Sequence, residues 1–156
     1  MKWNKIKTFI VNILLALAVG GLSAFFTRSS MKTFDALSKP ALTPPSYVFP
    51  IVWSVLFILM GVGAAIVILK SGGDRRSHAL KVYWTQLVVN FLWSILFFNL
   101  HLYLVSFLWL ILLWILIFMM IKAFYNVDHT AGLLQIPYLL WVTFAGYLNL
   151  MIWMMN

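Results

Sequence analysis

The chain has 156 residues, of which 64% are hydrophobic, 17% aromatic and only 9% charged, and its mean hydropathy is +1.00. A soluble domain carries roughly 25% charged residues, so eleven bases and three acids are too few to clothe a water-facing surface, and the composition reads as that of a membrane protein. The net charge of +8 does not turn this reading toward nucleic acid, because the bases fall between apolar runs without a stripe or a binding motif, and the lack of cysteine removes disulfides, thiolate metal sites and thiol nucleophiles.

Hydrocarbon about 30 Å thick needs about 20 apolar residues of helix at about 1.5 Å each. Five segments meet that requirement, at residues 8–27, 47–69, 82–100, 102–121 and 133–155, and none carries an interior charge. An open strand edge in lipid would leave backbone groups unpaired, so the spans are read as helices. The expected fold is an all-α membrane protein: a five-transmembrane-helix bundle forming a single domain over residues 1–156, multi-pass in the cell membrane and in contact with its lipid.

Lys2, Lys5 and Lys7 precede the first span. A signal peptide is the alternative there, since Leu22-Ser23-Ala24 resembles a cleavage site, but the apolar run continues through Phe25 and Phe26 where such a region should turn polar. Ala16, Gly20 and Ala24 recur every four residues, a spacing that lets helices pack closely.

The next stretch, Lys39 to Trp53, holds four of the five prolines. Proline lacks an N–H and suits the first turn of a helix, so Pro44, Pro45 and Pro50 are expected to open the second span, with Thr43 or Ser46 as cap. These residues either punctuate a loop or stiffen a lid across the mouth of the bundle. Beyond them Trp53, Phe57, Met60 and Ala64 share a face, and Gly61 with Ala65 offers another close approach.

A connection at 71–81 with Gly72-Gly73 precedes the third span, where Gln86, Asn90, Trp93, Ser94 and Phe97 recur at three- and four-residue spacing. That face should look inward, because amides in lipid lack partners; joining helices and meeting a ligand are both open roles. In the fifth span Tyr138, Trp141, Ala145 and Leu148 line up likewise. Trp3, Trp84 and Trp153 fit an interfacial belt, whereas Trp53 and Trp141 lie roughly 9 and 12 Å inside their spans, deeper than a belt requires.

Eight of the eleven bases fall on the side of the N-terminus, while Arg28, Lys32 and Lys39 fall on the other. The positive-inside rule then places the N-terminus inside, and the C-terminus and the proline-rich connection outside. Asp35, Asp74 and Asp128, and likewise His78, His101 and His129, are assigned to connections. No intramembrane carboxylate is left to drive an ion-coupled pump, no histidine pair to hold haem, and no hydroxyl with a neighbouring base for hydrolytic chemistry. No metal or other cofactor is expected.

Three blocks carry a resemblance. Phe34-Asp35-Ala36-Leu37-Ser38-Lys39-Pro40 leads through Thr43-Pro44-Pro45 to Val52-Trp53 and Leu59-Met60-Gly61. Gln86-Leu87, Asn90-Phe91-Leu92-Trp93-Ser94 and Leu96-Phe97-Phe98 form the second. Ile136-Pro137-Tyr138-Leu139-Leu140-Trp141, Phe144-Ala145, Leu148-Asn149, Trp153 and Asn156 form the third. In this order the chain resembles the TspO/MBR family of tryptophan-rich sensory and translocator proteins, over about residues 34–156. The resemblance implies that the first helix is retained, that a homodimer is possible, and that a porphyrin or other tetrapyrrole, or an isoquinoline or benzodiazepine, binds near the first loop against Trp53, Asn90, Trp141 and Ala145.

Together with the faces above, the ligand-binding set is Phe34 and Pro44 from the loop, Trp53 and Phe57 from the second span, and Asn90, Trp93 and Phe97 from the third. Tyr138, Trp141, Ala145 and Leu148 complete it from the fifth. A flat apolar ring suits aromatic walls, and its carboxylates suit cations and amide donors. Some members of the family are credited with light-dependent porphyrin degradation, for which Trp53 and Trp141 would be the catalytic pair. A scaffold with an incidental cavity is the third reading. The chain departs from the family at Thr33 and Leu42, where tryptophans are usual, and at Leu150, Met151 and Met154, where the sterol-recognition pattern places tyrosines and an arginine.

Overall fold

The computed structural model describes all 156 residues. Helix α1 spans Lys2–Thr27 and passes through a single 3-10 turn, Arg28–Ser30, into the short helix α2, Met31–Asp35. After the proline-rich loop come α3, Val48–Lys70, and α4, Gly73–Ser94, the latter prolonged by a π-helical turn at Ile95–Asn99. Helices α5, Tyr103–Val127, α6, His129–Leu133, and α7, Ile136–Met155, complete the chain. Five of these units are long and apolar enough to cross a bilayer.

Burial is inverted relative to a water-soluble protein. Leu14, Val88, Leu108 and Leu140 are more than half exposed, whereas Gln86, Asn90, Gln135 and Asn149 are at most 3% exposed. Lipid meets the aliphatic surface at no cost, while amides must find partners inside. The inward orientation expected for the Gln86–Asn90 face follows from that asymmetry.

The helices run past the boundaries expected from hydropathy. Helix α4 begins at Gly73, nine residues before position 82, so the expected connection at 71–81 shrinks to Ser71-Gly72, and Asp74 and His78 lie within the helix. Likewise Asp35 ends α2 and His129 opens α6. Hydropathy marks what lipid tolerates, whereas helix formation needs only backbone hydrogen bonds, and Asp74 in the first turn suits the positive end of the helix dipole. Gly73, at φ +58°, supplies the left-handed turn that reverses the chain so abruptly.

The start of α3 also differs from expectation. Neither Thr43 nor Ser46 caps it: the Thr43 hydroxyl donates to the Pro40 carbonyl at 2.7 Å, and Ser46 donates to the Asp35 carboxylate at 3.4 Å. Pro44 and Pro45 precede the helix, and only Pro50 falls in its first turn.

Close approach of α1 and α3 depends on missing side chains. A Cβ on Gly61 would stand 2.5 Å from the Ile13 Cα, and one on Gly20 would stand 2.6 Å from the Phe57 ring. At the lysine-rich end, Asp128 caps α6 by accepting from the Ala131 N–H at 3.2 Å and pairs with the Lys70 ammonium at 2.6 Å. The Lys70 hydrogen bond foremost holds the Asp128 carboxyl below the usual carboxylate range. Arg75 donates to the Asn126 carbonyl and Arg76 to the Ile68 and Ser71 carbonyls, closing the exposed ends of α5 and α3.

Candidate functional site

At the opposite end, α1, α3, α4 and α7 enclose a cavity of about 460 Å³. Its walls are aromatic because α3 and the α4 unit present rings at helical spacing toward the same space, where α7 adds one more. Helix α3 contributes Phe49, Trp53 and Phe57, the α4 unit contributes Trp93, Phe97 and Phe98, and α7 contributes Trp141. Phe34 reaches in from α2, with its ring 6.0 Å from Phe97 and 6.3 Å from Phe49. Two ring contacts bring α3 and α7 together, Phe49 with Trp141 at 5.8 Å and Trp53 with Tyr138 at 6.2 Å.

The π turn is part of the construction. It takes in Phe97 and Phe98, whose rings meet edge to face at 4.9 Å, and Trp93 stacks on Phe97 at 5.4 Å. Such turns insert a residue into a helix and re-aim the side chains around it. Asn99 anchors the turn to α1, donating to the Phe26 carbonyl at 2.9 Å and accepting from Ser30 at 2.7 Å.

Beneath the aromatic walls lies a chain of amides. The Asn90 amide donates to the Tyr138 hydroxyl at 2.7 Å, and that hydroxyl donates to the Gln86 carbonyl oxygen at 2.7 Å. Asn149 accepts from the Trp93 indole and from the Ser106 hydroxyl, each at 3.1 Å, and donates to the Tyr103 carbonyl at 2.8 Å. The two open roles for the α4 amides are thereby divided: Gln86 is wholly buried in helix joining, while Asn90 both joins helices and reaches the cavity wall.

Nine residues of the expected ligand-binding set lie on the wall: Phe34, Trp53 and Phe57, then Asn90, Trp93 and Phe97, then Trp141, Ala145 and Leu148. Pro44 and Tyr138 do not. Pro44 stands in the loop ahead of α3, where its neighbour Thr43 faces the cavity instead, and Tyr138 is 1% exposed with its hydroxyl held between two amides.

The sequence reading missed the wall supplied by α1. Gly20, Ser23, Ala24 and Thr27 line the cavity, and Arg28 stands at its rim. The signal was present in the recurrence of small and hydroxyl side chains at positions 20, 23, 24 and 27, which share one helical face. Of these, only Gly20 and Ala24 belong to the close-packing stripe that the sequence shows. Both roles hold at Gly20, which touches Phe57 and borders the cavity.

Polar groups facing this space are few. The hydroxyls of Thr27, Thr43 and Ser54 donate to carbonyls of their own segments. The Trp141 indole N–H is buried without any acceptor. A buried donor left unpaired costs about 1–3 kcal/mol, and this one has no open surface toward the cavity. The arrangement therefore suits a largely apolar, flat molecule.

Residues 12–154 match the model of the TspO/MBR family. The chain is 39% identical over 156 residues to the tryptophan-rich protein TspO of Chlorobaculum tepidum, covering 98% of each chain. It is 37% identical over 153 residues to protein CrtK of Rhodobacter capsulatus, covering 95% of this chain and 92% of that one. The similarity extends to the translocator protein of Bos taurus, at 31% identity over 150 residues, 94% of this chain and 89% of the other.

Proposed function

This chain belongs to the TspO/MBR family of multi-pass integral membrane proteins, and from that premise we propose that it is a receptor or carrier for tetrapyrroles and related flat hydrophobic ligands. The observation that carries this reading is the aromatic cavity of about 460 Å³, walled by Trp53, Trp93 and Trp141 with Phe34, Phe49 and Phe97. That volume is within the range of small-molecule sites, about 300–1,000 Å³. The lysine-rich end is assigned to the inner side and the cavity end to the outer one, following the distribution of bases. In this reading the proline-rich segment is a stiffened lid. Asn156 ties it to α7, accepting from the Ser38 N–H at 3.1 Å and donating to the Ser38 carbonyl at 2.8 Å.

The test is titration of the detergent-solubilised protein with protoporphyrin IX, followed by quenching of tryptophan fluorescence. Quenching should saturate, and Trp53→Phe and Asn90→Ala should weaken the affinity. Non-saturable quenching, or unchanged affinity in both variants, would refute the assigned site.

A second reading is favoured by the indoles that line the cavity, among them Trp53 from α3 and Trp141 from α7. An indole can pass an electron to a photoexcited porphyrin, and with dissolved dioxygen as the external oxidant that intercepts the radical pair, the same cavity would carry light-dependent degradation of the pigment. Illumination of the complex while its absorbance is followed separates the two readings. Bleaching as fast in the Trp53→Phe/Trp141→Phe double variant as in the wild type would remove this pair of indoles from consideration.

A further inference from the structure

Three bases lie at the cavity end of the bundle, and the structure distinguishes them sharply. The Lys39 ammonium is occupied: it donates to the Phe34 and Asp35 carbonyls, each at 3.0 Å, and sits 4.9 Å from the centre of the Phe34 ring. Lys32 is exposed on α2 and forms no part of the cavity wall. Arg28 is the one charged residue that borders the cavity. Its guanidinium lies 4.2 Å from the centre of the Phe25 ring, and it enters no salt bridge and no hydrogen bond with the protein.

A guanidinium stacked on an aromatic face keeps its N–H edge free, and that planar fork of donors matches a carboxylate. Two of the hydroxyls nearby do not compete for an anion, since Thr27 and Thr43 direct their protons to the Ser23 and Pro40 carbonyls. The acid nearest in sequence, Asp35, has its carboxylate turned to Ser46. We infer that Arg28 is the anion subsite of this cavity, and that the preferred ligand is amphipathic: an apolar body against the aromatic walls and a carboxylate at the rim against Arg28.

The inference rests on the ligand reading proposed above, and one experiment separates their failures. Protoporphyrin IX, a dicarboxylic acid, and its dimethyl ester share the same ring and differ in charge. Each is titrated into the full-length wild type and into the Arg28→Gln, Arg28→Lys and Lys32→Gln variants in the same neutral detergent, with tryptophan quenching as the readout. Wild type should bind the acid about tenfold more tightly than the ester, equivalent to about 1.4 kcal/mol. Arg28→Gln should bring the ratio close to one, chiefly by weakening the acid, and Arg28→Lys should keep part of it.

Lys32→Gln removes the same unit of charge and should leave the ratio as in wild type. Raising ionic strength should narrow the ratio in wild type and leave Arg28→Gln unmoved. Equal binding of acid and ester by wild type, an undiminished ratio in Arg28→Gln, or an equal fall in Lys32→Gln each overturns the subsite while leaving the cavity reading intact. Lack of saturable binding by either compound overturns the ligand reading and the subsite with it.

Discussion

Tyr138→Phe isolates one hydroxyl that holds two helices in register. The substitution keeps the ring, and hence its packing 6.2 Å from Trp53, but removes both 2.7 Å hydrogen bonds, one accepted from Asn90 and one donated to Gln86. Side-chain hydrogen bonds within membrane bundles average about 0.6 kcal/mol each, which gives about 1.2 kcal/mol for the pair. Leaving a buried amide unpaired raises the cost, by about 1–3 kcal/mol in proteins generally. A loss of about 2 kcal/mol is expected, equivalent to a fall in Tm of about 4–8 °C for a chain of this length.

The assay is thermal unfolding in a single detergent. Because Tyr138 is off the cavity wall, porphyrin affinity at a temperature where both proteins are folded should stay within about threefold, well under 1 kcal/mol. Combining Tyr138→Phe with Gln86→Leu should recover part of the loss, since the abandoned carbonyl is removed along with its partner. A Tm equal to wild type in Tyr138→Phe, or a double variant less stable than the sum of the two singles, would refute the view of this hydroxyl as a buried hub.

Three further outcomes are expected. Gly61→Ala should destabilise by about 1–3 kcal/mol through overpacking against the Ile13 backbone, whereas Gly21→Ala, where nothing lies within 4 Å of the new carbon, should be neutral or gain up to about 1 kcal/mol in helix propensity; comparable effects in unfolding titrations would contradict the α1–α3 contact. The Asp128 carboxyl is depressed in the folded protein, so its contribution is present above the unfolded-state pKa, near the ordinary value of 3.8, and is lost as pH falls through the lower folded value. Asp128→Asn should therefore flatten the stability profile below about pH 4 relative to wild type, and superimposable profiles would show that the Lys70 pair does not persist in solution. Asn156→Ala releases both hydrogen bonds to Ser38 and should accelerate ligand dissociation several-fold in stopped-flow measurements, with an unchanged rate arguing against a tethered lid.

Much of this molecule is legible along one dimension. Charge scarcity and five apolar runs dictate a helical bundle in lipid, because that solvent offers backbone groups no partner outside the helix. Three- and four-residue spacing sorts Asn90, Trp93 and Phe97 onto one face of α4, and Trp141, Ala145 and Leu148 onto one face of α7, since periodicity is a property of a single helix. The motif blocks carry the family for the same reason: they are local.

Partnership is a different matter. Which amide meets which hydroxyl depends on how far one helix is translated and rotated against another, and no spacing within a helix encodes that. Tyr138 has the periodicity of a wall residue, yet the approach of α7 to α4 turns its hydroxyl into a link between Asn90 and Gln86. The small residues of α1 read equally as packing or as cavity, and only the placement of α3 shows Gly61 to be the tight crossing and Ser23, Ala24 and Thr27 the wall. Among three similar bases, tertiary structure alone engages Lys39 with backbone carbonyls and leaves Arg28 free at the rim, because hydrogen-bond satisfaction is decided by neighbours in space.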